Sequence, residues 1–381
     1  MRHPAETAET PGIPLSQIRV LGDRPAPFAL EAKAALLIAA QSGTVLYAFN
    51  EHEKMQPASL AKIMTFYLTL KALRDGRLKL TTPITISEKA WRLSVDQSVS
   101  HMFLDLGQQV PVNELLYGLM VSSGNDAAMA LAEYQAGSAE AFTDQMNHEV
   151  QELGLTETHF ANPDGLPVEG EYTTASDMVK LARDVITQFP DAIKYTGTKE
   201  FTFHNIEQRN FNTLLFYDSR VDGLKTGHVE EAGFHLVATA HANGMVLISA
   251  VMGTTSMEKR RTETEKLLNW AFNTFVTVRP DWQKAAPPTL TVYEGTEREI
   301  PIGPQAAPYI TVGRGEESKV TLAASLTSKY LVAPVAKGTP VGELQVMVNG
   351  KPEGSIPLVT QASMGQAGFF GRLADRVRMK L

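Results

Sequence analysis

Three short groups of chemically capable residues occur in order along this chain: Ser59-Leu60-Ala61-Lys62, Ser123-Gly124-Asn125 and Lys225-Thr226-Gly227. The first sets a hydroxyl three residues ahead of an amine, and in a helix those positions share a face one turn apart. Serine becomes a nucleophile when a base within hydrogen-bond reach takes its proton. Lysine can be that base if burial or a nearby cation drives it toward the neutral form. Ser59 opens a helical run through Lys71 and Leu73 that ends near Gly76. Its hydroxyl would therefore sit at the positive end of the helix dipole. The same residues also fit a helix cap followed by a solvated lysine. A second S-x-x-K string, Ser256-Met257-Glu258-Lys259, shows how readily the pattern arises.

The other two groups are open in the same way. Ser123 could relay a proton and the Asn125 amide could orient a substrate amide, but turns use these residue types too. Lys225 and Thr226, on a strand edge, could grip a carboxylate while the backbone pairs with an extended peptide; a loop with a surface lysine is the plain alternative. The information lies in the ordered set, spaced by 64 and 102 residues.

Elements must hold these groups together. Ala34–Ala39 and Val45–Phe49 flank a Gly43 turn and read as a β-hairpin. Helices are expected over Val112–Met120, after Asn125, and over Phe142–Leu153, Thr174–Val185 and Thr262–Phe275. Residues 154–172 read as a loop. Strands are expected at Glu200–Phe203, Leu224–Thr226, Gly233–Ala240 and Met245–Val251. This order predicts an α+β fold, an antiparallel sheet with helices packed on it, whose first and last strands come from opposite ends of the segment.

Proline marks the boundaries. Five of 21 prolines precede residue 28, and ten lie in residues 280–363. The expected organisation is an arm over 1–27, a catalytic domain over 28–277, a small all-β domain over 278–363 and a terminal segment over 364–381. In that last segment Phe370, Leu373, Ala374, Val377 and Leu381 share a helical face, and the tail from Gly368 carries a net charge of +3. About 14 residues span ~20 Å as a helix, too short to cross a bilayer. An amphipathic helix at a membrane surface and a helix docked on the protein both fit.

Composition removes other classes. The net charge of −7 disfavours nucleic acid as a partner. The absence of cysteine excludes disulfides, thiolate metal sites and cysteine nucleophiles. Nine scattered histidines form no H-E-x-x-H, and there is no G-x-S-x-G elbow, P-loop or dinucleotide fingerprint. Neither a metal nor a cofactor is expected.

The three groups together form the signature set of penicillin-binding proteins and serine β-lactamases. Ala58–Thr65, Ser122–Ala127 and Asp222–His228 resemble the low-molecular-weight D-alanyl-D-alanine carboxypeptidases, as do Val110-Pro111-Val112, Met146-Asn147, Thr158-His159-Phe160 and Val251-Met252-Gly253. The resemblance implies that Ser59 is acylated, Lys62 takes its proton, and Ser123 and Lys225 move protons and help keep Lys62 neutral. It further implies that Asn125 positions the scissile amide and Thr226 the terminal carboxylate. The backbone N–H groups of Ser59 and of His228, which follows Gly227, would hold the oxyanion. Arg260 resembles a basic residue assisting carboxylate binding, with Arg261 one position away. The implied partners are the D-Ala-D-Ala stem peptide of peptidoglycan, β-lactams as inhibitors, and a membrane surface. The implied location is the periplasm, on the outer face of the inner membrane, after removal of a signal peptide.

Two departures stand out. Asn210-Phe211-Asn212 occupies a site where the family often has Asn-Arg-Asn, and Gln97–His101 replaces a Gly-Ser-rich stretch. A class A β-lactamase would need E-x-x-L-N between the second and third groups. Glu265-Lys266-Leu267-Leu268-Asn269 lies after the third and reads as part of a core helix. A non-catalytic sensor with an intact acylation site is the alternative of a different class.

Overall fold

The computed structural model describes residues 26–379. The expected arm over 1–27 falls almost wholly outside the described residues, as do Lys380 and Leu381 of the tail. The chain forms two compact units. One comprises the described residues up to Ala40 and Leu46–Phe272, the other Gln41–Val45 and the chain from Asn273.

The larger unit begins with the expected hairpin, β1 (Ala34–Ala39) and β2 (Thr44–Phe49). A 3-10 turn at Ala58–Ala61 runs directly into α1 (Lys62–Arg74). From Lys62 to Leu70 every α1 residue is buried. A helix buried on all sides belongs at the centre of a helical layer, and α1 packs against its neighbours there. Short strands β3 (Pro83–Thr85) and β4 (Gln109–Pro111) pair around α2 (Glu88–Val95). Then come α3 (Val112–Met120), α4 (Asn125–Ala136), α5 (Ala139–Glu152) and α6 (Ala175–Gln188). The side chains of Ser138 and Thr174 cap α5 and α6 by accepting from Ala141 N and Asp177 N.

A one-turn helix α7 (Ile193–Thr196), the hairpin β5 (Glu200–Phe203) and β6 (Ile206–Arg209), and a one-turn α8 (Leu214–Tyr217) lead to three long strands. These are β7 (Val221–Val229), β8 (Gly233–Ala242) and β9 (Met245–Thr254), and α9 (Met257–Thr274) follows. The sheet order is β2-β1-β9-β8-β7. β1 is antiparallel to β9, so the two ends of the unit meet in one sheet, as the element order required. β7 is the outer strand on one side.

The second unit is all-β apart from short turns and one terminal helix. β10 (Phe275–Val278), β11 (Thr289–Tyr293), β12 (Glu299–Pro304) and β13 (Ile310–Gly313) are followed by β14 (Val320–Leu326), β15 (Tyr330–Val332), β16 (Pro340–Val348) and β17 (Lys351–Thr360). Six of these form a sheet in the order β14-β16-β17-β12-β11-β15, and β10 pairs with β13. Leu290, Val292, Ile300, Ile302, Leu344, Val346, Ile356 and Leu358 fill its core. The helix α10 (Phe369–Arg378) ends the described chain.

The sequence reading missed α2, β3, β4, β6 and the one-turn α7 and α8, and in the second unit β10, β12, β15 and β17. It also began α9 five residues late. The strands at Glu299–Pro304 and Lys351–Thr360 contain Pro301, Pro304, Pro352 and Pro357, which argue against a strand when read locally.

Candidate active site

The Ser59 turn is hemmed in by two neighbouring segments. Ala58 adopts a left-handed φ of 50°, a conformation that costs a residue with a Cβ and persists only where its surroundings enforce it. A Cβ on Gly165 would lie 1.9 Å from the Ala58 carbonyl oxygen, and one on Gly227 2.9 Å from that of Pro57. Both neighbouring segments approach this turn more closely than a side chain would allow.

Lys62 is fully buried as the first residue of α1. Its Nζ donates to Ser59 Oγ at 3.0 Å, to Asn125 Oδ1 at 2.5 Å and to the Asp164 carbonyl at 2.5 Å. An ammonium has three donors, and all three are used. Burial nevertheless brings the group down to about 8, against the opposing pull of Asp164, Asp126 and Glu171. Of the two causes the sequence reading offered, burial or a nearby cation, burial is the larger.

A second lysine–serine pair lies beside the first. Lys225 Nζ, buried on β7, donates to Ser123 Oγ at 2.9 Å and to the Thr226 carbonyl at 3.0 Å. Burial, reinforced by the charges of Lys62 and Arg260, pushes Lys225 well below the usual lysine range. Ser123 also has a left-handed φ, 56°. Its carbonyl accepts from Ser100 Oγ at 2.8 Å, and Asn125 N donates to the Ser100 carbonyl at 2.8 Å. The Asp126 carboxylate ties this loop down by accepting from Met102 N and Ala127 N.

A cavity of about 240 Å³ opens over these groups. Of the expected residues, Ser59, Ser123, Thr226, Gly227, His228 and Arg260 line it. Lys62, Asn125 and Lys225 lie behind that lining, Lys62 bonded to Ser59 and to Asn125, and Lys225 bonded to Ser123. The Asn125 carbonyl is committed to Lys62, which leaves its amide nitrogen as the group a substrate can use. Arg260 is buried, donates to the Phe211 carbonyl at 3.1 Å and lies over the Phe234 ring. Arg261 instead pairs with Glu265 at 3.0 Å and covers Tyr217. Of the two arginines, it is Arg260 that lines the cavity.

The decoys resolve equally plainly. Ser256 Oγ accepts from Lys259 N, so it is a helix cap, and Lys259 pairs with Glu31. Glu265 serves Arg261 on α9. The sequence reading missed Ser100, Phe211, Phe234 and Met257, which also line the cavity. Ser100 and Phe211 fall in the two stretches that depart from the family pattern, a signal that marked the positions without giving their role.

The D-alanyl-D-alanine carboxypeptidase family model matches residues 22–256, and the penicillin-binding protein 5 C-terminal domain model matches residues 282–366. The D-alanyl-D-alanine carboxypeptidase DacC of Escherichia coli (strain K12) is 40% identical over 354 residues, 92% of this chain and 88% of that protein. The structure of penicillin binding protein 5 from Haemophilus influenzae superposes with a TM-score of 0.81 at 38% identity, covering 90% of this chain and 100% of that one. Penicillin-binding protein D2 from Listeria monocytogenes, in its ampicillin-bound form, gives 0.59 at 29% identity over 65% of this chain and all of that one. The fold and the paired serine–lysine site thus define a serine-type peptidase. The chain belongs to the D-alanyl-D-alanine carboxypeptidase family.

Proposed function

We propose that Ser59 is the nucleophile of a DD-carboxypeptidase that releases the terminal D-Ala from D-Ala-D-Ala stem peptides of peptidoglycan. The observation that carries this reading is the buried Lys62 bonded to the Ser59 hydroxyl, with Lys225 bonded to Ser123 beside it. Neutral Lys62 takes the Ser59 proton as Oγ attacks the penultimate carbonyl. The N–H groups of Ser59 and His228 stabilise the oxyanion; losing one such donor typically costs ~10²–10³ in rate. Ser123, hydrogen-bonded to Lys225, delivers a proton to the leaving D-Ala nitrogen, and the Asn125 amide orients the acyl side. Thr226 and Arg260 hold the terminal carboxylate. Water then cleaves the ester to regenerate Ser59. A β-lactam follows the first half of this path and stays attached longer. No metal or cofactor enters the scheme.

We assign catalysis to residues 28–277, a separate β-domain to 278–363 and membrane-surface attachment to 364–381, with the enzyme working in the periplasm at the outer face of the inner membrane. For attachment, the support is the direction in which α10 faces. Phe369, Phe370, Leu373 and Val377 are all more than half exposed. Its polar side is the one engaged: Arg376 pairs with Glu294 at 2.7 Å, and Asp375 accepts from Glu294 N. Among the described residues no helix is long and apolar enough to cross a membrane.

The deciding experiment is time-resolved mass spectrometry of the penicillin-treated protein together with D-Ala release from a stem peptide. Acylation at Ser59 with D-Ala release is expected. Acylation without release would leave a sensor, and labelling elsewhere would overturn the assignment.

A further inference from the structure

His235 is fully buried on β8, directly across from Gly227 on β7. Its Nδ1 accepts from Gly253 N at 2.9 Å, so the ring proton sits on Nε2, which donates to the Gln56 carbonyl at 3.1 Å. The register between β8 and β9 shifts at this residue, and two β9 residues, Met252 and Gly253, face His235 alone. Such bulges re-aim side chains. Here the bulge turns Gly253 N toward the imidazole. Burial holds the ring neutral down to about 4, so this one tautomer persists through the working range.

The acceptor matters more than the donor. Gln56 is the first of three consecutive residues, before Ser59, whose carbonyls are closely approached by other segments. Gly227 and Gly165 come up against those of Pro57 and Ala58, where only the absence of a Cβ permits it. At Gln56 the approach is a hydrogen bond from a separate strand, in a segment that carries the strained Ala58. The His235 carbonyl also accepts from Arg260 at 3.5 Å. One residue thus touches both the approach to the nucleophile and the cation proposed for the substrate carboxylate.

We propose that His235 is a positioning residue for acylation, its imidazole fixing the Gln56–Ser59 segment so that the Ser59 hydroxyl and N–H keep their places relative to β7. This rests on the reading of Ser59 as nucleophile. A misplacement of about 1 Å at a reacting group can cost ~10²-fold. The variants His235→Ala and His235→Asn test the proposal, with the second-order rate of labelling by fluorescent penicillin as the readout. A carboxamide carries an NH2 donor group and an oxygen acceptor, so it offers both functions of the neutral imidazole. His235→Ala should be acylated about 10- to 100-fold more slowly, and His235→Asn should recover to within a few-fold of wild type. Wild-type rates in His235→Ala, or equal impairment in both variants, would overturn it. If His235→Ala does not fold, His235→Leu, which fills the space without a donor, takes its place in the same comparison. Ser59→Ala run alongside separates the two claims: residual labelling there would remove the nucleophile, whatever the His235 variants do.

Discussion

In the hydrogen bond between Lys62 and Ser59 the ammonium is the donor, 3.0 Å from the hydroxyl oxygen. Catalysis needs the opposite polarity, with the hydroxyl donating to a neutral amine. Burial brings Lys62 to about 8, so a substantial neutral fraction exists near neutrality. The rate of acylation should therefore rise with pH and level off above an apparent value near 8. Rapid-mix labelling with a fluorescent penicillin across pH 6–9.5 measures this. Lys62→Arg keeps the charge but cannot release a proton in this range. It should lower acylation by at least ~10³-fold while remaining folded.

Removing the nucleophile has a different signature. Ser59→Ala should abolish both penicillin labelling and D-Ala release. It takes away one of three acceptors around Lys62 and leaves Asn125 and Asp164 in place, so unfolding should shift by only about 1 kcal/mol. Thermal melts paired with mass spectrometry of the adduct check both halves.

Arg260 predicts a substrate-dependent effect. If its guanidinium serves the free carboxylate, Arg260→Gln should raise KM for a D-Ala-D-Ala peptide about 10-fold or more, a charge-assisted contact being worth ~1.5–3 kcal/mol. A peptide whose terminal carboxylate is amidated should be handled almost equally by both proteins. Steady-state kinetics on the pair of substrates supply the test; equal losses on both would point to packing against Phe211 and Phe234 instead.

Glu171 links the site to stability. Burial raises its carboxyl from 4.5 to about 8, even though an Ala161 N–H and the Lys62 charge pull the other way. Between those values the folded protein holds a proton that the unfolded chain has released. Stability therefore falls as pH rises through this window, and the full penalty is present above about 8. Glu171→Gln carries no such proton. Its stability relative to wild type should grow from pH 5 to pH 9, by an amount on the order of a few kcal/mol. Chemical denaturation at the two pH values measures the change.

The terminal helix can be tested by truncation. A protein lacking residues 368–381 should no longer co-sediment with anionic vesicles, and its activity on a soluble peptide should be unchanged. Undiminished sedimentation would remove α10 as the attachment element.

The chemistry of the site was more legible than its supports. The types and order of Ser59, Lys62, Ser123, Lys225 and Thr226 are side-chain properties, and a sequence displays those. The third acceptor of Lys62 is a backbone carbonyl, that of Asp164, which any residue would offer. His235 acts across 179 positions on Gln56; nothing local distinguishes it from eight other histidines. Elements followed the same rule. Val112 to about Met120 was read as a helix, close to its actual bounds, because its apolar spacing is strong. The helix Glu88–Val95 escaped because it buries only Ala90 and Ser94 and shows charge to solvent. The prolines that separated the β-domain from the rest were also what hid two of its strands.

The position of β7 at the edge of its sheet has a kinetic consequence. A peptide lying along that edge becomes a temporary sixth strand, and most of what it presents to β7 is main chain, which every peptide shares. Recognition on this side then reads the direction and chirality of the chain more than its side chains. If the substrate docks there, each turnover would add a strand and strip it away, and an acyl group still paired to the edge after its leaving group has gone would have to be peeled off before the next substrate docks.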